Sequence, residues 1–465
     1  MPDFTPHELE RWSGGAWTAP PSRPLTGVTQ DTRVLRPGDL YVAVRGQNAD
    51  GHSFVAQAFR QGASGAVVAR GWTPPADFSG ALLQVADTLQ ALRLMGAGYR
   101  ARLGTLTIGV TGSVGKTTVK DMIAGVLSAV MPTARTRGNW NNDIGLPLSL
   151  LAMEPEHQAG VFELGINHPG EMGELCSILA PNWGVITTVG PVHLEFFASV
   201  AAIAAEKAVL LERLPPDGVA FLSRDGDHFD LLRRRAACRV VSVSADADAD
   251  YRLVREKASA GEGTVLESGS GTAFPVRIPV PGRHNLANAL LAGAVGRTLG
   301  VPWARIGDAL AGFTPAPMRW ERSDVAGVCV INDAYNANPV SMRAALETFR
   351  EQSADGRKWL VLGAMRELGA AEAEEHGALG AWLARLPWAG VFTVGPLGDL
   401  VAAGIAGAGT GIPVARCAAP LDAGRALATV ARPGDAVLFK ASRGVRLEEA
   451  VREFTRIVRT GAEML

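Results

Sequence analysis

Cysteine is scarce in this 465-residue chain, with four residues at 176, 238, 329 and 417, far apart and without CxxC spacing. That excludes a disulfide framework and a cysteine-rich zinc site, and it suits a reducing compartment. No charge of one sign predominates: 45 Lys and Arg stand against 46 Asp and Glu, a formal net charge of −1. A large basic nucleic-acid surface and a polybasic membrane contact are therefore not expected. Long apolar runs are also missing. The longest uncharged stretch, Leu175 to Leu194, carries Pro181, Asn182 and Pro191, so no membrane insertion is expected. The opening MPDFTPHELERW has acids and no apolar centre, which predicts no signal peptide and a cytoplasmic protein. Lysine is the last scarcity: only residues 116, 120, 207, 257, 358 and 440. A lysine can lose its proton and react as an amine, which arginine cannot.

What is present is ordinary globular composition, 47% hydrophobic and 20% charged, which excludes wholesale disorder. The length predicts two to four domains at ~100–200 residues each. The pattern divides the chain into a small α/β unit, 1–84, a central unit, 85–314, and a third, 315–465. In the first, Leu40, Val42 and Val44 alternate as a buried strand after the Pro37-Gly38-Asp39 turn, and Ala56 to Ala69 reads as helix then strand. In the second, the strand Leu106, Ile108, Val110 precedes a glycine-rich turn and a helix marked by Val119, Met122, Ile123, Val126, Leu127 and Val130. Further strands are expected to end at Glu163 and at Gly190, with a helix from Val200 to Leu214. Pro315 and Pro317 precede a third alternation: VCVIND, a helix from Ser341, KWLVLG, a helix through His376, GVFTVG and AVLFK. Such alternation implies mainly parallel sheets covered by helices, an α/β fold.

The strongest chemical signal is GVTGSVGKTT, residues 109–118. A strand enters it, a helix leaves it, and Gly112, Ser113, Gly115, Lys116, Thr117 and Thr118 form the turn. Backbone N–H groups and a helix N-terminus there suit phosphate oxygens; Lys116 would neutralise the β/γ-phosphates and Thr117 would ligate Mg²⁺. The strict phosphate-loop pattern has glycine where Val110 stands. Glu163 ends an apolar strand at the edge where phosphate chemistry would occur and reads either as a Mg²⁺ ligand or as an ordinary strand-end acid. His193, in GPVHLE, is either a second ligand or a common surface or core histidine. Lys207 lies among alanine, valine and leucine; it is either a surface lysine of an amphipathic helix or a desolvated amine able to take up CO₂ as a carbamate. Three asparagine clusters, GNWNNDIGLP, PGRHNLANAL and INDAYNANP, suit adenine edges, ribose hydroxyls and peptide groups, and equally suit turns and caps.

Taken together these motifs resemble the Mur ligase family, over almost the full length: QDTRVLRPGDLYVAVRGQNADGH, GVTGSVGKTT, NWNNDIGLPLSLL, FELGINHPGEM, HLEFFASVAAIAAEKAVLL, GRHNLANALLA, DAYNANPVSM, VLGAMRELG with His376, and FKASRG. YNANP, NNDIGLP and MRELG point to its dipeptide-adding branch. The resemblance implies a small UDP-binding unit, a central phosphate-loop parallel-sheet domain and a C-terminal Rossmann-like domain. It implies an ATP-dependent ligase joining D-alanyl-D-alanine to UDP-N-acetylmuramoyl-tripeptide through an acyl phosphate, a monomer using two Mg²⁺ ions. By the same resemblance Thr32, Arg33, Asp50, Gly51 and His52 meet the UDP part. Asn139, Asn141 and Asn142 lie near the phosphates and the muramoyl-peptide. Glu163, His193 and a carbamylated Lys207 join Thr117 as metal ligands, and Asn285 and Asn288 contact adenine. Arg319 and Asp333 meet the γ-phosphate and ribose after closure of the third unit. Asn336, Asn338, Lys440 and Ser442 fall where the substrates meet that unit. Val114, Met318, Asn332, Ala364 and Ala441 depart from the usual residues, and Met318 stands where glycine commonly precedes the arginine. Single-amino-acid ligases such as folylpolyglutamate synthase are disfavoured by DAYNANP and MRELG. A nucleotide-dependent switch would leave the third unit's Arg, Asp and Lys motifs unexplained.

Overall fold

The structure is a computed structural model and describes residues 2–46, 49–76 and 78–463. Three sheets succeed one another along the chain. The first has five strands in the order Ala16–Trp17, Leu82–Val85, Gly65–Ala69, Asp39–Val42, Gly27–Thr29. All its pairings are parallel except that of Ala16–Trp17 with Leu82–Val85. The expected helix and strand within 56–69 are the helix Val55–Arg60 and the strand Gly65–Ala69.

A 16-residue helix, Thr88–Leu103, follows, capped by the Asp87 side chain and closed by Gly104 in the left-handed region. It packs on the helices Pro6–Ser13 and Gly145–Leu151, so Leu9, Leu92, Met95 and Tyr99 share one core with Leu146 and Leu150. Fully burying each such side chain stabilises by roughly 1.5–3 kcal/mol. This shared core fixes the first sheet to the second.

The second sheet has nine strands. Thr133–Arg135, Ala159–Glu163, Leu106–Thr111, Trp183–Ile186, Val219–Ser223, Arg239–Ser244 and Tyr251–Lys257 run parallel. Glu262–Glu267 and Thr272–Arg277 then add an antiparallel edge. One expected boundary differs: the strand read as ending at Gly190 ends at Ile186. Thr187 to Gly190 instead turn against the glycine-rich loop, where the Ser113 N–H donates to the Thr188 carbonyl at 2.6 Å.

The third sheet orders Glu321–Val325, Val328–Asn332, Ala436–Lys440, Lys358–Leu362, Gly390–Val394 and Val414–Cys417, antiparallel only at its first pair. Its first helix begins at Pro339 rather than Ser341, because Asn338 caps it by accepting from the Ser341 N–H. That helix seats on the central unit. Met342, Ala345 and Phe349 belong to the same buried core as Val280 and Leu290, and Gln352 Nε2 donates to the Ser259 carbonyl at 2.9 Å. A Cβ added at Gly190 would lie 3.0 Å from the Val340 side chain, so any larger residue there would press Val340 aside by a few tenths of an ångström.

Candidate active site

The central strand Leu106–Thr111 delivers the chain into a turn that two glycines make physically accessible. Gly112 has φ 149° and Gly115 φ 86°, values that L side chains rarely adopt. A Cβ at Gly112 would collide with Thr187 Oγ, and one at Gly115 would lie 2.7 Å from Asn288 Oδ1. The helix Lys116–Ser128 then starts with no side-chain cap, leaving its first N–H groups for an anion. Lys116 Nζ donates to the Gly112 carbonyl at 2.9 Å. Thr187 Oγ donates to the Val114 carbonyl at 2.5 Å, and Ser113 Oγ donates to the Gly190 carbonyl at 3.0 Å. Ser113 thus fastens the loop to its neighbour, while Gly115, Lys116, Thr117 and Thr118 line a cavity of about 220 Å³.

That cavity is completed from both sides. The helix Arg283–Thr298 brings Asn285 and Asn288 to its wall, and the third unit contributes Arg319, Asp333, Tyr335, Asn336, Asn338 and Lys440. Asn285 Nδ2 donates to the Pro281 carbonyl at 2.8 Å, so its Oδ1 is the group facing Asn288. Arg319 reaches across the interface, its Nη2 donating to Thr117 Oγ at 3.0 Å, and its guanidinium lies 4.3 Å from the Tyr335 ring centroid. The neighbouring arginine, Arg322, sits on an exposed strand instead. Met318 and Trp320 on either side of Arg319 have φ of 59° and 53°. Met318 therefore occupies a conformation that glycine takes freely, at a cost of order 1 kcal/mol or more. Asp333 holds this loop: Oδ1 accepts from the Trp320 N–H at 3.1 Å and Oδ2 accepts from Lys440 Nζ at 2.6 Å.

Glu163 ends its strand 2% exposed. Its carboxylate accepts from Thr117 Oγ at 2.7 Å and from Asn141 Nδ2 at 2.8 Å. Burial pulls the half-buried Lys116 amine below its ordinary pKa, with Glu163 opposing and Arg319 reinforcing the shift. A second cavity, about 590 Å³, adjoins this pair and takes in Asn139, Asn141, Asn142, His193 and Arg93. His193 Nδ1 lies 2.5 Å from Glu367 Oε2, a partner 174 residues away that sequence reasoning left unassigned although it sits in MRELG. Arg93, paired with Asp143 and Glu174, was also missed; nothing in its amphipathic helix marks it. Lys207 is 2% exposed. Burial first, then the nearby Lys116 charge, drives its pKa well below the usual lysine value, while Glu206 opposes.

The hydroxyl of Thr117 and the carboxylate of Glu163 are hard oxygen donors side by side, which fits Mg²⁺. Among the described residues no group of three or more His, Cys, Asp or Glu side chains forms a ready metal cage. A cation here would complete its shell from phosphate, water or a modified side chain, as Mg²⁺ commonly does.

Other named residues lie elsewhere. His52 accepts from the Ala69 N–H through Nε2 at 2.9 Å, so Nδ1 carries the proton it gives to Asp50 at 2.6 Å. The Asp50 carboxyl is held at about 2, chiefly by the His52 backbone N–H. Arg33 pairs with Asp31 at 2.7 Å. None of Thr32, Arg33, Asp50, Gly51 or His52 lines the two cavities at the phosphate loop. A local turn occupies Asn142, whose Oδ1 accepts from the Gly145 N–H at 2.9 Å, and Asn338 caps the helix Pro339–Glu351. Ser442 Oγ donates to the Ala337 carbonyl at 3.0 Å and accepts from the Arg366 N–H at 2.9 Å, tying two loops together.

A phosphate loop closed by an arginine from a second α/β unit defines an ATP-using enzyme whose site assembles between two domains. The chain belongs to the Mur ligase family: residues 110–296 match the Mur ligase middle domain and 318–443 the "Mur ligase, glutamate ligase domain". It is 37% identical to UDP-N-acetylmuramoyl-tripeptide–D-alanyl-D-alanine ligase of Bacillus subtilis (strain 168), over 92% of this chain and 93% of that one. It is 36% identical to the enzyme of the same name from Escherichia coli (strain K12), over 77% and 78%. Among solved structures, MurF from Acinetobacter baumannii superposes with a TM-score of 0.88 at 31% identity, covering 98% of this chain and 99% of that one. MurF ligase from Thermotoga maritima in complex with ADP gives 0.78 at 27% identity, covering 93% and 98%.

Proposed function

We propose that this chain is the ATP-dependent ligase that joins D-alanyl-D-alanine to UDP-N-acetylmuramoyl-tripeptide, acting as a cytoplasmic monomer in peptidoglycan precursor synthesis. The observation that carries the reading is the meeting of three distant groups, Thr117, Glu163 and Arg319, on one side of the phosphate-loop cavity. A carboxylate is a poor acyl donor because its leaving group would be oxide. In the first step a carboxylate oxygen of the tripeptide bonds to the γ-phosphorus and the bond to ADP breaks. In the second the dipeptide amine bonds to the carbonyl carbon, a proton is lost, and phosphate leaves with the carbon–oxygen bond. Lys116, the free N–H groups of the helix Lys116–Ser128 and Arg319 stabilise charge on the moving phosphoryl group. Asn285 and Asn288 offer amide edges to the base. The third unit excludes water from the acyl phosphate.

Thr117 and Glu163 would hold Mg²⁺, with His193 and Lys207 as further ligands; the ions, two by this reading, neutralise phosphoryl charge when bound. Lys207 is suited to carbamylation because burial favours the uncharged form of its amine and lowers its pKa, and only the neutral amine adds CO₂. Carbon-13 NMR of protein equilibrated with labelled bicarbonate gives a readout independent of turnover. A carbamate resonance absent from Lys207→Arg is expected; identical spectra would refute the modification.

The test of the reading is phosphate release from ATP with UDP-N-acetylmuramoyl-tripeptide and each candidate amine. D-alanyl-D-alanine should support turnover and a product heavier by the dipeptide, whereas glutamate or a diamino acid should not. Turnover with a single amino acid only would move the chain to another branch of the family.

A further inference from the structure

Lys120 is 1% exposed, as buried as Lys207, yet it lines neither cavity at the phosphate loop. Replacing a buried ion pair by apolar groups of similar volume is often neutral or stabilising, so stability alone gives no reason for a lysine here. Lys120 follows Thr117 by three residues on the helix Lys116–Ser128, which places both on one face. Its Nζ donates to the Thr136 carbonyl at 3.0 Å and lies 3.0 Å from the Asp121 carboxylate, which also pairs with Arg135 at 3.4 Å. Arg135 ends the edge strand Thr133–Arg135, which is three residues long and paired on one side only. So short a ladder holds its exit weakly, and the helix supplies the grip. Thr136 passes that grip on to Glu163: its N–H donates to the Val161 carbonyl at 3.1 Å, and its Oγ accepts from the Glu163 N–H at 2.9 Å. Further along the same loop, Asn141 Nδ2 donates to the Glu163 carboxylate at 2.8 Å, and the Asn141 carbonyl accepts from the Gly165 N–H at 2.8 Å. The helix therefore meets Glu163 twice, directly through Thr117 Oγ at 2.7 Å and indirectly through Lys120 and Thr136.

We propose that Lys120 is a positioning residue for the divalent-cation seat: by fixing Thr136 it sets where Glu163 stands against Thr117, without touching cation or substrate itself. The role deepens the ligase reading and rests on it for the cation. Removing the Nζ donor takes a hydrogen bond from the buried Thr136 carbonyl and frees the root of the loop that holds Glu163 at both backbone and side chain. Mg²⁺ tolerates little departure from octahedral geometry, so a small shift of Glu163 reads out as weaker cation binding. The adenine and dipeptide ends of the site do not depend on this loop.

The test measures Mn²⁺ taken up by the protein–ADP complex with electron paramagnetic resonance, a readout that needs no turnover. Lys120→Met keeps an unbranched chain but removes the donor. It should weaken Mn²⁺ binding roughly ten- to hundredfold, the usual effect of losing an outer partner of a metal ligand. The Mg²⁺ concentration for half-maximal turnover should rise in step, while KM for the dipeptide stays unchanged. Lys120→Arg, which can still donate to the Thr136 carbonyl, should recover part of the loss. Thr136→Val leaves that carbonyl in place and removes only the acceptor for the Glu163 N–H, so it should weaken Mn²⁺ binding in the same direction; it reads the same path if Lys120→Met does not fold. Mn²⁺ affinity within twofold of wild type in folded Lys120→Met, or in Thr136→Val, overturns the role. A wild type that binds Mn²⁺ with ADP but shows no dipeptide-dependent turnover overturns the ligase reading and leaves the role standing on the variants' Mn²⁺ affinities. A wild-type ADP complex that takes up no Mn²⁺ overturns the cation seat and the positioning role together.

Discussion

Replacing Arg319 by alanine removes the contact by which the third unit reaches the phosphate loop. The side chain makes one hydrogen bond to Thr117 Oγ at 3.0 Å and stacks 4.3 Å from Tyr335. A hydrogen bond from a charged group is worth about 1.5–3 kcal/mol, and a partly desolvated cation–π contact about 0.5–1 kcal/mol. Their sum, about 2–4 kcal/mol, corresponds to a roughly 30- to 1,000-fold loss in kcat/KM at 1.36 kcal/mol per tenfold. The assay is phosphate release at saturating UDP-substrate and dipeptide, with circular dichroism to show that the fold persists. Arg319→Lys should recover part of the loss, since it restores charge without the planar fork. Arg322→Ala, on the exposed strand three residues away, should remain near wild type. An Arg319→Ala enzyme within threefold of wild type, or an equal loss in Arg322→Ala, would refute the assignment.

Lys207→Arg should lose turnover as severely as Lys207→Ala, because a guanidinium keeps charge but forms no carbamate; formate or acetate should partly restore the alanine variant alone. Full activity in Lys207→Arg would return this residue to a structural role. Gly112→Ala should abolish nucleotide binding measured calorimetrically, since its Cβ collides with Thr187. Gly125→Ala, inside the helix Lys116–Ser128 that follows the loop and with open space around it, should stabilise by about 0.5–1 kcal/mol in a denaturant titration. The Asp50 carboxyl, held at about 2 against an ordinary 3.8, stabilises the first unit at pH values above 4; that contribution should fade as pH falls through about 2. Asp50→Asn should flatten this limb of an acid-unfolding curve, and an unchanged limb would contradict the cause assigned.

The alternation of apolar strands and helices made the two larger sheets legible, because fully buried parallel strands read as short continuous apolar runs. The antiparallel edge at 262–277 was not legible. Its last strand exposes Thr272, Ala273, Pro275 and Arg277, and solvent there removes the pressure for apolar alternation. The strand end at Ile186 was misplaced for a related reason: Thr187 to Gly190 keep strand-like residue types but take their hydrogen bonds from the phosphate loop. In the site, GVTGSVGKTT was readable because its glycines answer local backbone demands. Asn142 and Asn338 were ambiguous in sequence; the Asn142 side chain closes a local turn and that of Asn338 caps a helix. The choice of Arg319 over Arg322 needed tertiary structure, since the partner lies 202 residues away. Glu367 was visible only as part of a motif; its partner His193 lies 174 residues away.

The central claim is phosphoryl transfer from ATP to the tripeptide carboxylate before the amide forms. It is tested most directly by labelling that carboxylate with oxygen-18 and analysing the inorganic phosphate by mass spectrometry. In the acyl-phosphate route, the carboxylate oxygen that attacks phosphorus departs with it, so each turnover should deliver one labelled oxygen to phosphate and retain one in the new amide. Dipeptide-dependent turnover that leaves the phosphate unlabelled would contradict the account.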